Sequence, residues 1–233
     1  MKDRHMNRIV GYAWLTSFAL ALLVAAPGNA ASYVGSIPVK QDQEQTAYTL
    51  ATISLADAMK TALGVCPGKA VTADISVENG YLVYGVEVVD NAGAVTDVKI
   101  DAGNGKVLAR DVSNDEPNDG EEGQAGDEDS STVKGSTPAP SEESGLPALS
   151  DLAKVSLADA ISAAQTAFPG MVLDAGLENE NGFVVYGVEV IGSSGVRTDV
   201  KVDAGNGRVL RHDTKTGEDE EKDQEQEQEN DGE

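Results

Sequence analysis

Two acidic turns, Asp101-Ala102-Gly103-Asn104-Gly105 and Asp203-Ala204-Gly205-Asn206-Gly207, carry the residue types of this chain that come nearest to a cation-ligand set. A calcium loop of the EF type wants oxygen ligands at alternating positions and a distal Glu. Here the third position is Gly103 or Gly205 and an apolar pair follows, Val107-Leu108 or Val209-Leu210, so a tight hairpin turn is expected instead. Nucleophilic catalysis needs a base beside the nucleophile. The chain's two histidines are His5, near the start, and His212, whose counterpart in the first of two repeats described below is Arg110. The single cysteine, Cys66, has no internal partner, and its counterpart is Phe168. That exchange predicts a buried apolar slot near a helix end, with a partner-linked or reactive thiol as the alternative. No catalytic residue, cofactor or metal site is expected. The charged residues with the most suggestive placement are Glu87 and Lys99, repeated as Glu189 and Lys201. If their strands are neighbours they could form cross-strand ion pairs. With Tyr81 and Phe183 they make the candidate contact face for a protein partner.

These pairs recur because the chain states one segment twice. Residues 51–111 and 153–213 align at an offset of 102 with no insertion, and 32 of 61 positions are identical. Two copies of one small module are therefore expected to set the fold. Each copy carries eight acids and five bases, so the net charge of −23 lies mostly elsewhere, in residues 112–152 (−10) and 214–233 (−8). Nucleic acid and anionic membrane surfaces are poor partners for such a chain, since both want clustered Lys and Arg.

The remaining segments read by composition. Lys2, Arg4 and Arg8 precede an apolar run from Ile9 to Ala26, and Pro27, Gly28, Asn29 and Ala30 follow. That order predicts a secretory signal peptide (1–30) cleaved after Ala30, hence a secreted or periplasmic protein. An uncleaved anchor is the alternative, because about 18 apolar residues is borderline for a span. Residues 31–50 form a polar lead-in. Residues 113–150, rich in Asp, Glu, Ser, Gly and Pro, predict a disordered acidic linker, and 214–233 a disordered acidic tail. Linker and tail could collect divalent cations weakly, which gives a second function class: an acidic, cation-responsive envelope protein.

Within each module (51–112 and 151–213) the local signals are clear. Ser54 with Asp57, and Ser156 with Asp159, mark helix starts. Leu55, Ala58, Met59 and Ala62, and Leu157, Ala160, Ile161 and Ala164, recur at helical spacing. Pro67-Gly68 and Pro169-Gly170 end the helices. Alternating runs around Asn79-Gly80 predict a hairpin, and two further turns carry the chain onward. The expected fold class is α+β: two tandem modules, each one helix on a three- or four-stranded antiparallel sheet. Modules this small gain from packing on each other, so intramolecular pairing of the two copies is expected.

Tyr84, Val86, Glu87 and Val88, then Ile100, Asp101, Gly105, Val107 and Leu108, with Tyr186, Val188, Glu189, Val190, Val202, Asp203, Gly207, Val209 and Leu210 in the second copy, resemble the PepSY domain family. The resemblance covers both modules. It implies a peptidase-inhibiting or regulatory role, because the family is similar to a segment in the propeptides of thermolysin-type metallopeptidases. The sequence shows no HExxH stretch, so inhibition would act in trans on an envelope partner, a peptidase being the first candidate.

Overall fold

The serine caps set the two modules in motion. In the computed structural model, which describes residues 33–113, 133–141 and 144–215, Ser54 Oγ accepts from Asp57 N (3.1 Å) and Ser156 Oγ accepts from Asp159 N (3.2 Å). Each cap satisfies a backbone donor that the first turn leaves unpaired. Helices α1 (Leu55–Val65) and α3 (Leu157–Ala167) follow; a shorter helix, α2 (Leu146–Leu152), precedes α3. The apolar stripe of α1 buries Leu55, Ala58, Met59 and Ala62, and that of α3 buries Leu157, Ala160, Ile161 and Ala164. Alanines in both stripes let the helices lie close to the sheet beneath.

Each module then runs through four antiparallel strands: β1 (Lys69–Glu78), β2 (Tyr81–Val89), β3 (Val95–Asp101) and β4 (Val107–Ser113), then β5 (Met171–Glu180), β6 (Phe183–Ile191), β7 (Arg197–Asp203) and β8 (Val209–Lys215). Asn79-Gly80 and Asn181-Gly182 turn the first hairpins with positive φ at both positions (53° and 78°, 53° and 79°), the geometry for which Asn-Gly is selected. The α+β class therefore holds, with four strands per module.

The two sheets are one. Strand order is β4-β3-β2-β1-β5-β6-β7-β8, joined where β1 meets β5 antiparallel at Thr72–Gly176, Ala73–Ala175 and Asp74–Asp174. Ala73 and Ala175 are the same position in the two copies, so the seam lies on a pseudo-twofold axis. One buried apolar cluster runs through both modules, from Leu55, Tyr84 and Val86 to Leu157, Val188 and Tyr186. Inside it, the Tyr84 hydroxyl donates to Ile53 O (2.9 Å) and Tyr186 to Val155 O (2.8 Å), which pins the chain just before each helix.

Cys66, a free thiol, is buried at the end of α1. Its counterpart Phe168 is half-buried against the core, its ring centroid 4.5 Å from that of His212 at a 44° tilt, in keeping with an apolar slot. Part of the expected linker is ordered: residues 133–141 lie along the second module, and Gly145 opens α2, with proline in its first turn. The expected signal peptide and the acid-rich stretches 114–132 and 216–233, to which the weak cation-binding reading attaches, lie outside the described residues. Among the described residues no helix is long and apolar enough to cross a membrane.

Candidate partner-binding face

Side chains alternate along a strand, so each strand that buries Val86 or Val188 against the helices turns Gly85, Glu87, Gly187 and Glu189 to the opposite face. All six candidate contact residues (Tyr81, Glu87, Lys99, Phe183, Glu189 and Lys201) fall on this second face, on β2, β3, β6 and β7. Their neighbours differ from the simple cross-strand expectation in both modules: Glu189 stands opposite Asp199 and Lys201 opposite Gly187, and Glu87 and Lys99 are displaced in the same way. The register sets Glu87 against Asp97, while Lys99 stands opposite Gly85. Lys99 Nζ accordingly pairs with Glu78 (2.8 Å) and Asp97 (3.0 Å) rather than with Glu87. Glu87 instead accepts from the Thr72 hydroxyl (2.8 Å). Burial alone would lower the Lys99 ammonium, but Glu78 and Asp97 hold it above its ordinary value.

Module 2 reaches a related arrangement through other residues. Lys201, nearly buried, pairs with Glu178 (2.7 Å) and Asp199 (3.1 Å), and Glu189 with Arg197 (3.2 Å). Glu178 stands where module 1 has Ser76, so the carboxylate partner has moved two residues along the strand. In module 1 the place beside Glu78 is shared with Tyr33, whose hydroxyl donates to Glu78 Oε2 (2.6 Å). Gly85 and Gly187 lie under charged side-chain ends: a Cβ at Gly85 would lie 2.5 Å from Asp74 Oδ1 and 3.2 Å from Lys99 Nζ, and one at Gly187 would lie 2.8 Å from Glu178 Oε1 and 3.1 Å from Lys201 Nζ.

Two short straps complete the face. Gly35-Ser36-Ile37-Pro38-Val39 and Gly135-Ser136-Thr137-Pro138-Ala139 each run beside the start of a hairpin strand, where the neighbouring strand has ended. Pro38 bridges Tyr81 and Pro138 bridges Phe183; Leu82 N donates to Ile37 O (3.0 Å) and Val184 N to Thr137 O (2.9 Å). Gly35 and Gly135 rest on the two aromatic rings, Tyr81 and Phe183, where a Cβ would come within 2.7 and 3.0 Å of the aromatic residue's own Cβ. Both candidate aromatics are thus half-covered by the chain itself.

The acidic turns hold the straps. Asp101 accepts from Ser36 N (2.6 Å), Ser36 Oγ (2.6 Å) and Gly103 N (2.8 Å). Asp203 accepts from Ser136 N and Oγ (2.8 Å each), Gly205 N (2.7 Å) and Asn206 Nδ2 (2.8 Å). Against the desolvation that burial imposes, these donors hold both carboxyls below the ordinary aspartate value. The turn expectation is met, and the carboxylate's task is to receive a serine. Sequence reasoning missed the straps because their repeat, GSIPV against GSTPA, is offset by 100 rather than 102 and sits in polar surroundings.

Comparisons with known proteins bear on this arrangement. The model of the "Peptidase propeptide and YPEB domain" family, PepSY, matches residues 52–111 and 154–213, from just before each helix into each module's last strand. None of the curated proteins matches the chain. Among solved structures, a Clostridium difficile 630 protein described as a lipoprotein is similar at 18% identity, with 71% of this chain and 95% of that one covered and a TM-score of 0.37. The YpmB protein from Bacillus subtilis is similar at 14% identity, over 76% and 100% of the two chains, with a TM-score of 0.26. The Bacillus megaterium YpeB C-terminal domain is similar at 14% identity, over 78% and 70%, with a TM-score of 0.25. With two matched modules that together make up more than half of its length, the chain belongs to the PepSY family.

Proposed function

We propose that this chain is an extracytoplasmic, non-enzymatic regulatory protein whose two modules act as one body on a protein partner of the cell envelope, restraining a peptidase in trans. The observation that carries the reading is membership of both modules in a family named for peptidase propeptides. A shared sheet supports it, because one continuous sheet carries both copies of the second face on the same side. On that face Tyr81, Glu87, Lys99, Phe183, Glu189 and Lys201 make the contact, the aromatics supplying apolar area and the fixed charges specificity.

The test is capture from a native envelope fraction on the immobilised chain, with the peptidase activity of the same fraction measured as free chain is added. A retained peptidase and a dose-dependent fall in activity are expected. Replacing both aromatics (Tyr81→Ser with Phe183→Ser) is expected to weaken the effect about tenfold, the scale of a lost interface anchor. No retained peptidase and unchanged activity, with the modules folded by circular dichroism, would contradict the proposal.

A further inference from the structure

The ladder that joins the modules is the shortest in the sheet. β1 and β5 pair at three positions, Thr72–Gly176, Ala73–Ala175 and Asp74–Asp174, whereas β1 and β2 pair from Lys69–Val89 to Glu78–Tyr81. On the helix side the seam is alanine against alanine, both fully buried. On the other side two half-buried carboxylates stand directly opposite each other, and residues so paired have Cβ atoms about 4.5–5.5 Å apart. Like charges in that position push strands apart.

The groups around the pair are mostly acidic. Asp74 faces Ser76 and Glu78 on its own strand, Glu87 on β2, and Lys99 and Asp97 on β3. Asp174 faces Glu178 on its own strand, Glu189 on β6, Lys201 and Asp199 on β7, and Asp74 across the seam. Lys99 is already shared by Glu78 and Asp97, Lys201 by Glu178 and Asp199, and Arg197 is bound by Glu189. Carboxylates therefore outnumber cations around the seam.

We propose that this seam is a pH-operated joint: protonation at Asp74 and Asp174, which stand opposite each other in the β1–β5 register, keeps the two strands paired, and its loss lets them part. Burial pushes the Asp74 carboxyl up to about 6. Burial, then the charges of Asp74, Glu189 and Glu178, push Asp174 up to about 7. Two carboxyls this close titrate as a pair, so the joint responds across that range as a whole. The sign follows from linkage. An acid whose folded value is raised adds no penalty below its unfolded value, near 4; the penalty grows as pH rises and is complete above the folded value. The joint is tight in mild acid and loosened above neutrality. Lys69 Nζ still bonds Ser150 O (2.7 Å) across the helix side, so opening is a local parting of β1 from β5 and not release of the modules. The joint is a property of the two-module body itself, whether or not a peptidase is the partner.

Hydrogen exchange on the full chain between pH 5.5 and 8.5, corrected for the intrinsic rate, tests the joint. Protection of residues 72–74 and 174–176, relative to Val86 and Val188, is expected to fall about tenfold as pH rises, a change matching one unit of pKa displacement. Asp174→Thr, which copies Thr72 at the matching position of module 1, is expected to flatten the response, as is Asp174→Asn. Seam protection that does not change with pH, or that changes equally in both variants, would overturn the proposal. A carbon-13 titration of the unaltered chain decides the matter without any variant: both carboxyls titrating near 4 would overturn it too.

Discussion

Replacing Asp203 by alanine is expected to destabilise the protein by about 3 kcal/mol, because four donors lose their acceptor at a site only 2% exposed. For a folded body of this size that is a fall in Tm of roughly 6–12 °C, read by calorimetry. Asp203→Asn keeps an acceptor oxygen and is expected to lose about 1 kcal/mol. A double-mutant cycle with Ser136→Ala is expected to show coupling of about 1 kcal/mol, since that substitution removes the hydroxyl bond and keeps the one from Ser136 N. The pH dependence has a definite sign. The folded Asp203 carboxyl lies below its ordinary value, so its contribution is present above the unfolded value and is lost as pH falls through the folded one. Melting curves of the wild type and Asp203→Ala are therefore expected to separate at neutral pH and to converge in strong acid. A constant gap at every pH would mean that Asp203 acts through packing alone.

The second large effect is expected at the break between helix and sheet. Gly170 is packed against the backbone of Ile191: a Cβ there meets Ile191 O directly and comes within 2.8 Å of both Ile191 C and Val190 Cγ1. Backbone cannot swing aside as a side chain can, so Gly170→Ala is expected to cost about 3 kcal/mol, at the upper end for overpacking. Gly68→Ala is expected to cost about the same in module 1, where Val89 O and Val88 Cγ1 take the same places. The control is Gly64→Ala on the exposed side of α1, where nothing lies within 4 Å; it is expected to stabilise by about 0.5–1 kcal/mol through helix propensity alone. Chemical denaturation of the three variants checks the ranking. A neutral Gly170→Ala would show that the Pro-Gly break serves only the turn and not this close approach.

What was legible in the sequence was local. Serine three residues before aspartate, alanine-rich stripes at helical spacing and Asn-Gly between alternating runs each act within a few residues, and each landed where expected. What was not legible depends on register or on distant partners. The Glu87–Lys99 and Glu189–Lys201 pairings are displaced by two positions along the ladder: the lysines stand opposite Gly85 and Gly187, and the glutamates opposite Asp97 and Asp199. The straps are five residues long and find their carboxylates 65 and 67 positions away. The seam rests on Ala73 and Ala175, two small residues whose importance lies in what they permit: close approach of two edge strands under the helices. Helix α2 was hidden because the linker's acidic composition dominates the reading of residues 113–150, although LPALSDL at its end is a short apolar pattern.

The seam also explains why duplication is useful here. A single module would expose β1 as an unpaired edge, which invites unwanted strand pairing. Joining β1 to β5 removes both exposed inner edges at once and continues one apolar core beneath two helices. The outer strands β4 and β8 remain the ends of the sheet among the described residues.

The two PepSY modules form a single sheet through β1 and β5. Nuclear Overhauser contacts between β1 and β5 at pH 5.5 test it most directly. Cross-strand contacts linking Ala73 with Ala175 and Asp74 with Asp174 are expected, with amides of residues 72–74 and 174–176 protected well above those of β4 and β8. Absence of those contacts, with β1 and β5 exchanging as fast as the outer strands, would contradict it.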